Sequence, residues 1–191
     1  DKKPFGTTWI NYTRSHDEVS FGYNDATIAH AGYNPEQHRN FLLNYFTGNF
    51  PNSPSIGALF TEKNPTNIGI CGTLASLCGL EKAVQEKNTY QIQLSVQKIL
   101  LMQANSFFLG GIPMIFAGDE AGYFNDYSYL DTPSKKSDNR WLHRPKMDWD
   151  KNSKVNTEGS IEHAVYSGTN RLIHIRKKLP VLSDTKNIYW L

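Results

Sequence analysis

The sequence has little cysteine, with two residues in 191, so no disulfide framework holds it and a buried apolar core must carry the fold. It also lacks a long hydrophobic run. The stretches at 99–102 and 112–117 fall far short of the ~18 apolar residues that a helix needs to span a bilayer. Charge of one sign is missing too: Lys+Arg 20 against Asp+Glu 18 leaves a net charge of +2. That produces no field that would select nucleic acid or an anionic membrane as a partner. The basic clusters Lys135-Lys136 and Arg176-Lys177-Lys178 read as solvated faces. None of the six histidines falls into HxxxH or CxxC spacing, so a structural metal is not expected. The N-terminal residues show no basic-then-apolar leader, which leaves the compartment open between cytoplasmic and secreted.

What is present is the composition of an ordinary folded chain, 39% hydrophobic and 13% aromatic. Cys71 and Cys78 lie seven positions apart. If that stretch is helical they are separated by about 10 Å, too far for a disulfide, and both read as small buried residues.

Periodicity gives an order of elements. TTWINYT at 7–13 is aromatic and β-branched and stops at the polar string Arg14-Ser15-His16-Asp17-Glu18, the pattern of a strand with ionisable groups at its C-terminal end. Asn34-Pro35-Glu36-Gln37 supplies a cap, a first-turn proline and a capping-box glutamine, which predicts a helix over Pro35–Phe46. Pro, Asn and Ser dominate 52–67 and predict a loop, followed by a short helix at 72–80. Ile92, Val96, Ile99, Leu100 and Phe107 predict a helix over Thr89–Phe108, closed by Gly110-Gly111. The apolar run 112–117 predicts a strand buried on both faces, ending at Gly118-Asp119-Glu120.

Strand, helix and strand in that order form a parallel βαβ unit. The polar segment 121–150 carries four Tyr or Phe and two Trp, too many for a loose linker. Long loops of this kind are usually functional. A last helix fits 160–178, ended by Pro180, and a strand is expected at 186–191. Parallel βα units with polar strand ends are those of an α/β barrel of eight strands, whose site lies on the C-terminal face. Such a barrel takes about 250 residues, so this chain has room for two or three strands and a fragment is expected. The alternative is an independently closed domain, which would have to cover its open strand edges.

His16 and Asp17 at a strand end are chemically suggestive, because an imidazole and a carboxylate side by side can hold adjacent hydroxyls of a sugar. Four segments in order, YTRSHDEVSF, GTLASLCGLE, GIPMIFAGDEAGYFNDYSY and SDNRWLHRP, resemble the second half of the catalytic barrel of the alpha-amylase family of glycoside hydrolases, most closely the amylosucrases. The resemblance runs from about Trp9 to Pro180. It implies a partial TIM-type (β/α)8 barrel at 1–180, comprising its seventh and eighth strands. Residues 181–191 would then start a C-terminal β-sandwich domain.

By the same resemblance, Asp17 is the carboxylate that grips the sugar's 2- and 3-hydroxyls and stabilises the transition state, with His16 beside it. Arg140 matches an arginine that pairs with an acidic residue of an earlier loop to close the glucose pocket. Retaining glycosidases use two carboxylates about 5 Å apart. In this family the nucleophile and the acid/base follow earlier strands, so they are expected upstream of Asp1, in a missing N-terminal half of the barrel, and the chain alone is expected to be inactive. Asp119 and Glu120 are read chiefly as turn caps. Trp141, Tyr127 and Tyr129 are read as loop anchors, and His143 and Arg144 as structural.

Two positions depart from the amylosucrase pattern. Glu18 stands where a second Asp contacts the fructosyl unit, and Gly69, in NPTNIGICGT, stands where an acceptor-side arginine is carried. Loss of a bidentate donor weakens the case for sucrose and for glucan elongation. The implied substrates are therefore sucrose with an α-glucan or water as acceptor, or maltose-type α-glucosides in a sibling activity. A non-catalytic sugar-binding or scaffold role is the third reading. No cofactor is implied, and no acidic cluster suggests a calcium site.

Overall fold

A computed structural model describes residues 7–61 and 68–183 of the chain. Among them are seven α-helices and two small sheets, a mixed α/β architecture. Of the β-domain start expected at 181–191, the residues from 184 onward, and with them the strand expected at 186–191, lie outside the described residues; Pro180–Ser183 form a 3-10 turn.

The first strand, β1 (Ile10–Tyr12), pairs in parallel with the last, β5 (Ile112–Met114), in the register Ile10↔Ile112 and Tyr12↔Met114. The chain returns between them through α5 (Thr89–Phe108), so the expected parallel βαβ unit is present. The two strands approach closely where α5 hands over to β5. A Cβ on Gly111, whose φ is +121°, would come within 2.5 Å of the Trp9 carbonyl. Only glycine allows that contact and that backbone.

α2 (Pro35–Phe46) starts as its sequence predicts, the Asn34 side chain accepting from the Gln37 N–H at 2.9 Å. Asn88 caps α5 and Ser160 caps α7 (Ile161–Lys177) in the same way. The predicted helix at 72–80 is instead two, α3 (Leu74–Leu77) and α4 (Leu80–Gln85), because Gly79 between them adopts φ +94° and turns the chain. A further short helix, α1 (Asp25–His30), is capped by Asn24.

The loop expected at 52–67 contains a strand. β3 (Ala58–Thr61) pairs antiparallel with β4 (Ile68–Cys71), and β4 also pairs with β2 (Val19–Ser20). These strands are short and embedded in Pro, Asn and Ser, so local composition hides them; cross-strand partners stabilise them.

One core cluster joins Leu74, Ala75, Leu80, Ile99 and Val165 from α3, α4, α5 and α7. A second joins Phe60 and Cys71 of the antiparallel sheet to Tyr129 and Leu142 of the long polar segment. That segment is thus tied down by its own aromatic and apolar residues through short 3-10 turns at Tyr127–Asp131 and Asn139–His143. α5 and α7 meet closely enough that a Cβ on Gly168 would lie 2.6 Å from Leu100 Cδ1.

Two expectations need correction. The strand 112–117 is shorter and is not buried on both faces: Ile112 and Met114 are 53% and 51% exposed. They share a face with Ile10 and Tyr12, also exposed, because β1 is the sole strand neighbour of β5 among the described residues. The basic clusters are also not simply solvated. Arg176 donates to the carbonyls of Phe107, Leu109 and Gly111 and so closes the end of α5. Lys135 lies with its Nζ 3.9 Å from the centre of the Trp141 ring.

Candidate functional site

At the C-terminal end of β1 the chain leaves the sheet through Thr13 and Arg14. Arg14 is buried, and its guanidinium donates twice to Asp119 Oδ1, from Nε at 2.9 Å and Nη2 at 2.8 Å. It lies 4.4 Å above the Phe116 ring and also donates to the His143 carbonyl at 3.2 Å. One side chain therefore joins the ends of β1 and β5 to the long segment. Burial pushes the Asp119 carboxyl above its ordinary pKa, with the Arg14 guanidinium working against that rise. Glu120 turns back on its own loop and accepts from the Gly118 N–H at 2.8 Å.

The next residues carry the candidate site. His16 and Asp17 are both well exposed, and their side chains approach each other at 3.5 Å. Asp17 Oδ1 faces two guanidiniums from the 3-10 turn that is 123 and more residues away in sequence, Arg140 Nη1 and Arg144 Nη2, each at 3.7 Å. Those distances are electrostatic contacts and leave the carboxylate oxygens open to hydroxyl donors.

Arg140 is itself held by a forked pair with Asp138, Nε to Oδ1 at 2.9 Å and Nη2 to Oδ2 at 3.0 Å. That hydrogen bonding keeps the Asp138 carboxyl below the usual range. The guanidinium also lies 5.3 Å over the Phe60 ring, so an arginine at the edge of the site is fixed by a carboxylate and an aromatic face.

His143 is buried behind this arrangement. The Gly72 N–H donates to its Nδ1 at 3.2 Å, which puts the ring proton on Nε2, and Nε2 then donates to the His16 carbonyl at 3.0 Å. Arg144 Nε donates to the same carbonyl at 2.7 Å. Burial, aided by the Arg14 and Arg144 charges, lowers the His143 pKa to about 4.

Glu18 leads into β2. Gly69 stands opposite Ser20 in β4, and a Cβ there would meet the Val19 carbonyl at 2.7 Å and Glu18 Cγ at 3.2 Å. Glu18 and Gly69 are thus neighbours.

His16, Asp17, Glu18 and Arg140 are brought to one end of the β1–β5 pair, from segments that the sequence keeps far apart. Tyr127 and Tyr129 anchor the long segment through Glu81 and Asn139, each at 2.8 Å. Sequence reasoning passed over Arg14 and Glu81. Glu81 is a buried carboxylate satisfied by Ser76, Tyr127 and the Asn125 N–H. Nothing local marks Glu81, whereas an arginine next to a strand end that carries His-Asp was a readable signal for Arg14.

Among the described residues no group of three or more His, Cys, Asp or Glu is placed to hold a metal ion. Both thiols are free, and burial pushes each up to about 12. An exposed carboxylate beside an imidazole, framed by guanidiniums, can accept and donate hydrogen bonds to a polyhydroxylated ligand. No protein-family model matches the chain.

Proposed function

We propose that this chain is part of a retaining, α-glucoside-active enzyme of the alpha-amylase family, with an amylosucrase-like transfer of glucose from sucrose to α-glucan or water as its activity. The observation that carries the reading is convergence. The four segments on which the resemblance rests meet at one end of a parallel strand pair: Arg14 on Asp119, Gly72 on His143, His143 on His16, and Arg140 beside Asp17. That is the end at which a (β/α)8 barrel keeps its site.

In this reading β1 and β5 are the seventh and eighth barrel strands. Asp17 binds the 2- and 3-hydroxyls of the glucosyl ring, and its hydrogen bonds strengthen as the ring flattens toward an oxocarbenium ion. His16 supports the same hydroxyls, Arg140 borders the glucose pocket, and Glu18 faces the leaving or accepting sugar. The nucleophile and the acid/base come from the N-terminal half of the barrel. The exposed apolar face of Ile10, Tyr12, Ile112 and Met114 supports this: paired parallel strands are covered on both faces and edges in native folds.

A second reading keeps the chemistry and changes the substrate to maltose-type α-glucosides. It is favoured by Gly69, where the Val19 carbonyl would lie 2.7 Å from an added Cβ and leaves little room for an arginine stem. The test is to incubate the intact protein with sucrose and, separately, with maltotriose, following fructose, glucose and insoluble glucan. Fructose in excess of glucose, with glucan accumulating, supports the transferase. Equal fructose and glucose indicate a sucrose hydrolase, and cleavage of maltotriose alone selects the second reading. No turnover of either substrate overturns both and leaves a non-catalytic sugar-binding role.

A further inference from the structure

The His16 carbonyl is an unusual backbone acceptor. It lies one peptide before Asp17, in an exposed turn, yet it receives two side-chain donors, His143 Nε2 at 3.0 Å and Arg144 Nε at 2.7 Å. Both come from consecutive residues of a turn 127 and 128 positions away. The preceding carbonyl, Ser15, accepts from Arg14 Nη1 at 3.3 Å, and the Asp17 N–H donates to Ser15 Oγ at 3.1 Å. Side chains therefore hold the backbone leading to Asp17 at successive peptide groups, although the Asp17 side chain itself is half exposed and meets His16, Arg140 and Arg144 at the long distances of 3.5, 3.7 and 3.7 Å.

The donor side is equally constrained. His143 is 2% exposed, and the Gly72 N–H, between β4 and the Thr73 cap of α3, occupies its Nδ1, so one neutral tautomer is selected and its proton is aimed at the turn. The Arg14 guanidinium holds the His143 carbonyl and Asp119 together, which fixes the ring's own backbone. The arrangement runs without a break from β5 through Arg14 and His143 to the carbonyl before Asp17.

We propose that His143 and Arg144 are positioning residues for Asp17: they clamp the His16 carbonyl and so set where the carboxylate stands when a sugar ring is bound. This inference rests on the α-glucosidic reading of the site for its functional half. Its structural half, the clamp, stands independently. Positional error of about 1 Å at a group that acts in the transition state costs up to a hundredfold in rate, so the clamp affects kcat more than ground-state binding.

The test compares the intact protein with His143→Phe, which keeps an aromatic ring, a somewhat larger one, and loses both hydrogen bonds, with His143→Gln, whose amide can still donate to the His16 carbonyl, and with Arg144→Met. Amide hydrogen exchange over residues 15–20 reads the clamp. Exchange there at least tenfold faster in His143→Phe and Arg144→Met, with helix α5 unchanged and His143→Gln close to wild type, is the expected result. In parallel, kcat falls about tenfold in the first two variants, KM stays within about twofold, and His143→Gln recovers most of the rate.

Unchanged exchange overturns the clamp whatever the activity. Faster exchange with unaltered kcat overturns its positioning role. If the wild type turns over no glucoside, the α-glucosidic reading fails while the exchange result still judges the clamp. Should His143→Phe not fold, Arg144→Met decides, since Arg144 is partly exposed and its loss leaves no cavity in the core.

Discussion

Arg14 and Asp119 stand 105 residues apart in the chain and form a buried ion pair at 2.8 Å, both side chains at most 4% exposed. The pair locks the ends of the two parallel strands together two residues before His16. Buried pairs of this kind contribute little net stability beyond an apolar substitute, and breaking one is costly because a charge is left stranded.

Arg14→Met should therefore destabilise the chain by roughly 3–5 kcal/mol at neutral pH, and Arg14→Met with Asp119→Leu should recover most of that loss. Urea denaturation of the wild type, the single variant and the double variant measures both. A double variant no more stable than the single one would show that the strand ends need the ion pair itself rather than a filled, neutral space.

His143 gives the fold an acid limb. Its pKa is lowered to about 4 from an ordinary 6.5, chiefly by burial, so the unfolded chain takes up a proton there before the folded chain does. The stability tied to the neutral ring is complete above pH 6.5 and declines as pH falls toward 4, by roughly 3 kcal/mol over that window. Thermal midpoints of wild type and His143→Gln between pH 7 and 4 should diverge in slope, the variant being the flatter. Parallel curves would mean that His143 is not held neutral.

On the proposed reading, in which Asp17 acts on the transition state, Asp17→Asn in the intact protein should lower kcat by about a hundredfold or more and, since the side chain is half exposed, leave the thermal midpoint near that of the wild type. A variant with near-normal turnover of sucrose and of maltotriose would remove Asp17 from the mechanism.

Met114→Asp separates the chain from the barrel proposed around it. With Met114 51% exposed, the substitution should cost this chain alone no more than about 0.5 kcal/mol. In the intact protein the same face is covered by further strands on the proposed reading, and an unpaired buried carboxylate there costs several kcal/mol, of order 2–7. Denaturation midpoints of the two forms should therefore respond differently. An equal, small effect in both would mean that nothing covers the β1–β5 face.

Local signals were enough for the longest elements. The capped helices Pro35–Phe46 and Thr89–Phe108 follow from end caps and helical spacing, because each needs only neighbours within a few turns of chain. The order strand, helix, apolar run pointed to the parallel return from β1 to β5, whose pairing is long-range. The His16-Asp17 pair was suggestive from residue type at a strand end, and Arg140 became a candidate only through the family resemblance of its segment. Strand β3, the break at Gly79 and the exposure of Ile112 and Met114 were not, since pairing partners, a left-handed φ and the number of covering layers are not written in a local window.

The amino-acid sequence by itself determined the long capped helices, which depend on short-range chemistry, and supplied the residue types able to grip a sugar. Tertiary structure alone decided that Arg14 is buried on Asp119, that His143 is neutral with its proton on Nε2, and that two donors converge on the carbonyl before Asp17. Those facts depend on which distant groups share a low-dielectric interior. There an ion pair or a single hydrogen bond selects one protonation state and one backbone position.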